Sequence, residues 1–193
     1  MNKQPLGDGA MKFTPPKNYE KNNPNILKRV VKDMESNKPF HYLFIGNAGV
    51  GKTALAKLIR RSYSESDWRW LNVRKFYRNY IELMSTSYND KYDVIRDSEK
   101  IMRAKNLVID DLGNERPNTA SAHDYMGSML EERYDWLTVS NKEARTIITT
   151  NLGANELHQI YGARLIDRLE GLFTIMRFKN QSFRRVNREI IEG

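Results

Sequence analysis

The sequence predicts an α/β fold in which a parallel sheet is flanked by helices, and three observations carry this prediction. A short apolar run at 42–45 leads directly into a glycine-rich stretch and then into a segment with helical spacing. Two further apolar runs, at 106–113 and 144–152, have the hydrophobicity of strands that are buried on both faces. Helical segments alternate with these runs, which is typical of a parallel sheet whose ligands bind at the carboxyl ends of the strands.

The elements are predicted in order along the chain. Residues 1–23 contain Gly, Pro, Lys and Asn and are expected to form an extended N-terminal arm, and 24–193 are expected to form a single domain. Pro24 suits the first turn of a helix, and Lys38-Pro39 ends it before the first strand. The other predicted elements are a helix at 54–63, a strand at 68–73, a helix at 74–84, a strand at 106–113, a helix at 122–137, a strand at 144–152 and a helix through 161–171.

Composition excludes several classes of protein. The absence of cysteine excludes disulfides, thiolate metal sites and cysteine nucleophiles, and it favours a reducing cytoplasmic compartment. No apolar stretch is long enough to cross a membrane and the N-terminus lacks the apolar core of a signal peptide, so no membrane partner is expected. The net charge of +8 favours a polyanionic partner, although solvated lysines account for it equally well.

The stretch GNAGVGKT at 46–53 is the strongest functional motif, because it matches the GxxxxGK[ST] phosphate-binding loop between a strand and a helix. Its glycines allow consecutive backbone N–H groups to face an anion, and the N-terminus of the next helix adds its dipole. Lys52 is expected to reach the β- and γ-phosphates of ATP, and the Thr53 hydroxyl is expected to ligate Mg²⁺. The expected nucleotide-binding residues are Gly46, Asn47, Ala48, Gly49, Val50, Gly51, Lys52, Thr53 and Ala54.

Polar side chains stand where two later strands end. Asp110 follows an apolar run and is expected to hold Mg²⁺ directly or through water, while Asp111 is expected to orient or deprotonate an attacking water. Asn151 ends the next strand in the same way, where its amide could bond the γ-phosphate or the water. Taken alone, both the aspartate pair and the asparagine could simply turn the chain out of a strand.

Two arginines, Arg164 and Arg168, are four residues apart and therefore share one helical face. They could form a solvated face around Asp167. Alternatively, one of them could be an arginine finger that reaches the γ-phosphate bound by a neighbouring subunit.

The ordered set GNAGVGKT, LVIDDLGNE, EERYDWL, TIITTNL and YGARLIDRLEG resembles the AAA+ ATPases of the DnaC/DnaI helicase-loader and IstB transposition-helper group. The resemblance extends from Asn25 to about Arg185. It implies a P-loop NTPase fold with an AAA+ core, and we expect no separate lid domain because the chain ends soon after IMRFKNQSFRR. Loaders of this group also carry a helicase-binding domain before the core, and few residues precede the loop strand here.

The resemblance also implies roles for individual residues. It makes Asp110 the Walker B metal residue, Asp111 the catalytic carboxylate and Asn151 the first sensor. Arg168 is the preferred finger in trans and Arg164 the competing choice. Many AAA+ proteins have glutamate at the position of Asp111, and hydrolysis can be slow with the shorter side chain.

The segment RKFYRNY at 74–80 is the first candidate for contacts to DNA. It lies near the place where related initiators and loaders insert a helical element along the DNA path, and basic residues interleaved with aromatic ones suit single-stranded DNA. The alternative is an amphipathic helix whose aromatic side chains pack inward while Arg74, Lys75 and Arg78 face water. The basic tail FKNQSFRRVNR at 178–188 is a second candidate.

The sequence therefore predicts an ATPase that uses Mg²⁺ and ATP, assembles into a homo-oligomeric ring or spiral, binds single-stranded DNA and loads a replicative helicase. Its small size fits a phage or mobile element. One alternative is an IstB-like helper of a transposase. Two others are a P-loop kinase for a small molecule and an adaptor in which ATP only orders the assembly.

Overall fold

The computed structural model describes residues 23–63, 67–84, 96–115, 120–140 and 143–179. The predicted arm lies outside the described residues except for Asn23, and so does nearly all of the predicted basic tail. The sequence assignments for these two segments remain predictions.

The chain forms six bounded helices and five strands in the described ranges. The helices are α1 (Pro24–Glu35), α2 (Lys52–Ser62), α3 (Val73–Met84), α4 (Ala120–Asp135), α5 (Ala154–Tyr161) and α6 (Ala163–Leu172). The strands are β1 (His41–Ile45), β2 (Trp68–Asn72), β3 (Asn106–Leu112), β4 (Arg145–Thr150) and β5 (Thr174–Arg177). Residues 96–102 are also helical, and α4 continues into a π-helical turn, Trp136–Ser140. In these same ranges, no helix combines the length and the apolar character needed to cross a bilayer.

The five strands pair in the order β2-β3-β4-β1-β5, and every pairing is parallel. The predicted fold class is therefore confirmed, with β3, β4 and β1 in the interior of the sheet. The interior position explains why β1 is almost wholly apolar, and why all six residues of β4 are buried although four of them are Arg or Thr.

Alternate residues of the strands enter two separate apolar layers. Leu43 and Ile45 of β1 pack with α3, α4, α5 and α6 on one face of the sheet. Tyr42 and Phe44 pack with α1 and α2 on the other face. Because side chains alternate along a strand, the residues of β4, and those of β3 as far as Asp110, have a predictable face.

Three elements were not predicted from the sequence. Strand β5 has only four residues and lacks the alternation of polar and apolar side chains that marks a strand. Helix α5 directly follows β4 and is separated from α6 by Gly162, whose φ of 83° breaks the helix. The helical stretch 96–102 is the third.

Arg133 joins α4 to the amino ends of β3 and β4, and its side chain is buried. It donates to the carbonyl oxygens of Met102 and Ala104, both at 2.6 Å, and to Thr146 Oγ1 at 2.8 Å. Its guanidinium also lies 4.8 Å from the ring centre of Trp136. Burial lowers the pKa of Arg133 to about 9, so the guanidinium remains charged at neutral pH. Within the described part of the chain no carboxylate pairs with it, so carbonyl and hydroxyl oxygens compensate the buried charge.

Replacing Arg133 with Met should lower the free energy of unfolding by about 3 kcal/mol, because several buried acceptors lose their donor at about 1 kcal/mol each or more. Urea denaturation of the parent and the variant measures this. Arg103→Met is the matched control, since Arg103 is exposed and pairs with Glu132 at the surface. An Arg133→Met protein as stable as the Arg103→Met protein would contradict the structural role of Arg133.

Candidate functional site

The carboxyl ends of β1, β3 and β4 meet at one edge of the sheet. Ile45, the last residue of β1, lies opposite Thr150 of β4, and Asn72 at the end of β2 lies opposite Asp110 of β3. The glycine-rich loop after β1, the aspartate pair of β3 and Asn151 after β4 are consequently neighbours.

The loop after β1 has the backbone that a phosphate-binding loop requires. Gly51 has φ of 101° and directly precedes α2, so the chain enters the helix from a conformation that other residues rarely adopt. Gly46 approaches the segment after β5 so closely that an added Cβ would lie 2.6 Å from the Phe178 carbonyl oxygen. Val50 is buried in the layer formed with α1 and α2, which anchors the loop to the core.

Lys52 is held inside this loop by three acceptors. Its Nζ donates to the carbonyl oxygens of Gly46 at 2.6 Å and Asn47 at 2.8 Å, and to Asn151 Oδ1 at 2.8 Å. Only 4% of the residue is exposed. Burial lowers the pKa of Lys52, and the carboxylates of Asp111 and Asp110 partly offset that effect. The loop lysine and the predicted sensor asparagine are therefore in direct contact.

Asp110 of β3 accepts hydrogen bonds from one residue of α2 and one residue of β4. Its Oδ1 accepts the Thr53 hydroxyl of α2 at 2.7 Å and the Thr149 hydroxyl of β4 at 2.8 Å. Asp110 is buried, and Thr53 is half-buried. The structure thus brings the two predicted metal residues, Thr53 and Asp110, into contact, with a second hydroxyl, that of Thr149, beside them.

Asp111 occupies a bulge in β3. Ile109 pairs with Ile148 while Leu112 pairs with Thr150, so β3 has one more residue than β4 between these two pairs. Asp111 has φ of 64°, which is uncommon for a residue other than glycine. The strained backbone turns a second carboxylate out of the strand at the position predicted to activate water.

The arrangement fits a magnesium ion bound together with a nucleoside triphosphate. Hydroxyl and carboxylate oxygens, such as those of Thr53 and Asp110, are the hard ligands that Mg²⁺ prefers. The loop before α2 and the N-terminus of that helix suit an anion. Bound Mg²⁺ would supply positive charge to the phosphates, and Lys52 would add to it.

The two arginines lie on α6, and neither contacts the loop residues among the described parts of the chain. Arg164 is exposed. Arg168 is half-buried, with its guanidinium 5.6 Å from the ring centre of Tyr134 on α4. Among the described residues, no hydrogen bond or ion pair links Arg164 or Arg168 to the phosphate-binding loop of their own chain.

Helix α3 has its basic residues exposed and its first aromatic residues turned inward. Arg74, Lys75 and Arg78 are exposed and line a surface pocket together with Asn72. Tyr77 is buried, and Phe76 packs against the core and stacks on Tyr125 with ring centres 6.4 Å apart. The inward packing of Phe76 and Tyr77 agrees with the amphipathic alternative for these two residues. The side chain of Tyr80 lies outside the described residues.

Sequence reasoning missed two groups that support the site. The Thr149 and Thr150 hydroxyls both contact the end of β3, the first at Asp110 and the second at the Leu112 carbonyl oxygen at 2.8 Å. The buried Glu115 accepts the Tyr161 hydroxyl at 2.5 Å, which ties the loop after β3 to α5. The register of β3 and β4 places Thr149 on the same face as Asp110, and the sequence alone does not give that register.

Comparison with families of known proteins gives a match over most of the chain. A family model described as IstB-like ATP binding protein matches residues 24–190. A search of the curated proteins finds no match.

Solved structures with the same fold include replication proteins. The DnaC helicase loader aligns with a TM-score of 0.60 and 19% identity over 85% of this chain and 100% of that chain. DnaI aligns with a TM-score of 0.60 and 18% identity over 82% of each chain. DnaA from Aquifex aeolicus, bound to AMPPCP, aligns with a TM-score of 0.63 and 14% identity over 89% of this chain and 50% of that chain. The resemblance and the AAA+ core predicted from the sequence are confirmed.

Replacing Lys52 with Ala should weaken ATP binding on the order of 100-fold, because the charged donor facing the phosphates is removed. Isothermal titration calorimetry with ATP and Mg²⁺ measures this. Lys57→Ala is the matched control on the same helix, since Lys57 is exposed beside Trp70. Equal affinities of the two variants would contradict the role of Lys52.

Replacing Asp111 with Asn should leave ATP binding at the level of the parent and abolish turnover, because the amide cannot accept a proton from water. Calorimetry gives the affinity, and release of phosphate gives the rate. Parental turnover in the Asp111→Asn protein would refute the catalytic role of Asp111.

Proposed function

The chain belongs to the family of IstB-like ATP binding proteins, and from that premise we propose that it is an AAA+ ATPase dependent on Mg²⁺ and ATP. We propose further that it assembles into homo-oligomers, binds single-stranded DNA and loads a replicative helicase. The single observation that carries the ATPase proposal is the contact network of Lys52, Thr53, Asp110 and Asn151 at one sheet edge.

In this proposal each residue of the edge has one task. Lys52 neutralises the β- and γ-phosphates, and Thr53 and Asp110 hold Mg²⁺. Asp111 orients the attacking water and accepts its proton, and its strained backbone supports that role, because strain of this kind is concentrated at functional sites. Asn151 positions the γ-phosphate or the water through its amide.

In the oligomer, an arginine of the neighbouring subunit would supply further positive charge at the γ-phosphate. Among the described residues, neither arginine of α6 contacts the loop of its own chain, which is what a residue acting on a neighbouring subunit requires. Arg168 remains the first candidate for the finger. Arg164 competes with it, and its exposed side chain makes it more accessible to a partner.

The proposed DNA path runs along α3. Arg74, Lys75 and Arg78 lie in the first two turns of α3, and Arg74 is two residues after Asn72, which is opposite Asp110 in the sheet. They line a pocket together with Asn72, so the basic surface is near the edge of the sheet that carries the nucleotide site. Because Phe76 and Tyr77 pack inward, these three residues would contact phosphates and not stack on bases.

The partner is the point on which the two leading proposals differ. The likeness to the DnaC helicase loader and to DnaI favours a replicative helicase. The IstB-like family model favours the second candidate, an ATP-dependent helper of a transposase. The small-molecule kinase considered from the sequence finds no support in either comparison.

Capture of host proteins on the tagged chain, with ATP and with ADP, tests the partner. Recovery of the replicative helicase in the ATP sample supports helicase loading. Recovery of a transposase would replace that proposal with the second candidate, and neither result bears on ATP hydrolysis.

Mixing two inactive proteins tests the finger in trans. Arg168→Ala should bind ATP nearly as well as the parent and hydrolyse it poorly, since its defect lies in the neighbour's site. An equimolar mixture with Lys52→Ala should recover part of the activity, because a mixed interface pairs an intact loop with an intact arginine.

The control for this experiment is a mixture of Lys52→Ala with Asp111→Asn, which should remain inactive because both residues act in one site. Arg164→Ala is assayed in the same way. Recovery with Arg164→Ala and full activity of Arg168→Ala alone would move the role to Arg164. Failure of both mixtures would refute a finger on α6.

Replacing Arg74, Lys75 and Arg78 with Ala should weaken binding to single-stranded DNA for all sequences alike. The slope of log K against log salt should become less steep by about 2, since each lost phosphate contact releases about 0.7 fewer cations. Fluorescence anisotropy at several salt concentrations measures the slope. A triple Ala variant at Lys28, Lys32 and Lys38 removes the same charge from exposed positions near α1 and should leave the slope unchanged. Equal effects of the two triple variants would assign α3 to a solvated face.

A further inference from the structure

Thr149 lies between the two parts of the site, which are the aspartate pair of β3 and the loop with Thr53 after β1. In the sheet, β4 lies between β3, which bears Asp110, and β1, which leads to the loop and Thr53. The Thr149 side chain is fully buried, and its hydroxyl donates to Asp110 Oδ1 at 2.8 Å. The same hydroxyl oxygen accepts the backbone N–H of Asp111 at 3.0 Å. One hydroxyl group therefore contacts both members of the aspartate pair.

We propose that Thr149 is a positioning residue of the ATPase site, which holds the Asp110 carboxylate toward Mg²⁺ and fixes the strained backbone of Asp111. The proposal rests on the ATPase function proposed above. It makes the threonines before the sensor asparagine part of the site, although nothing in their sequence pattern separates them from other β-branched residues of the strand.

The first effect of the hydroxyl is on the Asp110 carboxylate. Oδ1 already accepts the hydroxyls of Thr53 and Thr149, and in the described part of the chain no group donates to Oδ2. With Oδ1 fixed by two donors, the carboxylate cannot rotate freely, and Oδ2 is left for a metal or a metal-bound water. Hydrogen bonds from hydroxyl groups to a carboxylate are among the stronger ones in proteins.

The second effect is on the bulge. Asp111 has a positive φ and no regular ladder position, so a side chain must replace the partner that its N–H would find in an unbroken strand. Thr149 accepts that N–H, and Thr150 donates to the carbonyl oxygen of Leu112 on the other side of the bulge. Two adjacent threonines thus hold both ends of the backbone segment that directs Asp111.

Four residues at position 149 separate the hydroxyl from the packing of the side chain. Thr and Ser have the hydroxyl, whereas Val and Ala do not; Thr and Val have the γ-methyl group, whereas Ser and Ala do not. If the proposal is right, the loss of function follows the hydroxyl and the loss of thermal stability follows the methyl as well. Ile148→Val is the neighbouring control, because Ile148 is buried in β4 and has no polar side-chain group.

Three measurements are made on each protein, and the first is the temperature of thermal unfolding. Binding of a fluorescent ATP analogue is titrated with Mg²⁺ and in EDTA, and steady-state turnover is measured at saturating ATP. Thr149→Val should raise the Mg²⁺ concentration for half-maximal binding about tenfold and lower kcat tenfold or more, as expected when one hydrogen bond to a charged group is lost. Affinity in EDTA should be unchanged. Thr149→Ser should recover most of both quantities, and Ile148→Val should match the parent.

Two outcomes would overturn the proposal. Unchanged Mg²⁺ dependence and kcat in Thr149→Val would mean that the hydroxyl does not position the carboxylates. Equal losses in Thr149→Ser would mean that packing alone matters. If Thr149→Val does not fold, the Ser and Ala variants make the same comparison. If the parent shows no turnover, the proposed ATPase function fails, while the Mg²⁺ titration still decides the role of Thr149.

Discussion

The hydrogen bond from the Thr53 hydroxyl to the Asp110 carboxylate connects the two parts on which the site depends. Thr53 lies in the first turn of the helix after β1, and Asp110 lies near the end of a strand two positions away in the sheet, so the bond spans the intervening β4. It can form only if β1, β3 and β4 are parallel and in the observed register. The helices packed on both faces hold the sheet in this register, so they also fix the distance between the two proposed metal residues, Thr53 and Asp110.

Buried positive charge is placed at both ends of the sheet, and it serves different purposes there. Near the carboxyl edge, Lys52 is enclosed by backbone carbonyl groups and Asn151, and its burial costs folding free energy that an anion can return on binding. Near the amino edge, the acceptors that surround Arg133 in the described ranges are neutral and complete its hydrogen bonding. Lys52 is therefore placed to bind an anionic ligand, whereas Arg133 is part of the core.

Much of the fold and part of the site could be predicted because they depend on local patterns. The loop motif, the apolar runs and the polar residues at strand ends place Lys52, Asp110 and Asn151 at one edge without knowledge of the register. The bulge at Asp111 could not be predicted, because it depends on how β3 pairs with β4. The role of Thr149 was hidden for another reason, since a threonine in a strand of β-branched residues is already explained by strand propensity. Strand β5 is too short for its pattern to stand out.

The side chain of Arg133 has a consequence for how the molecule opens. Its donors reach the segment before β3 and the first residues of β4, while the residue itself belongs to α4, the connection between these strands. Arg133 therefore links all three parts of the unit β3–α4–β4, in addition to the backbone pairing of β3 with β4. Core strands and helices open at the highest free energies, so we expect the amides of this interior unit to be among the most protected from exchange. Local unfolding should begin at the outer strands β2 and β5. The hydrogen bond between Thr149 and Asp110 should persist while these outer strands open.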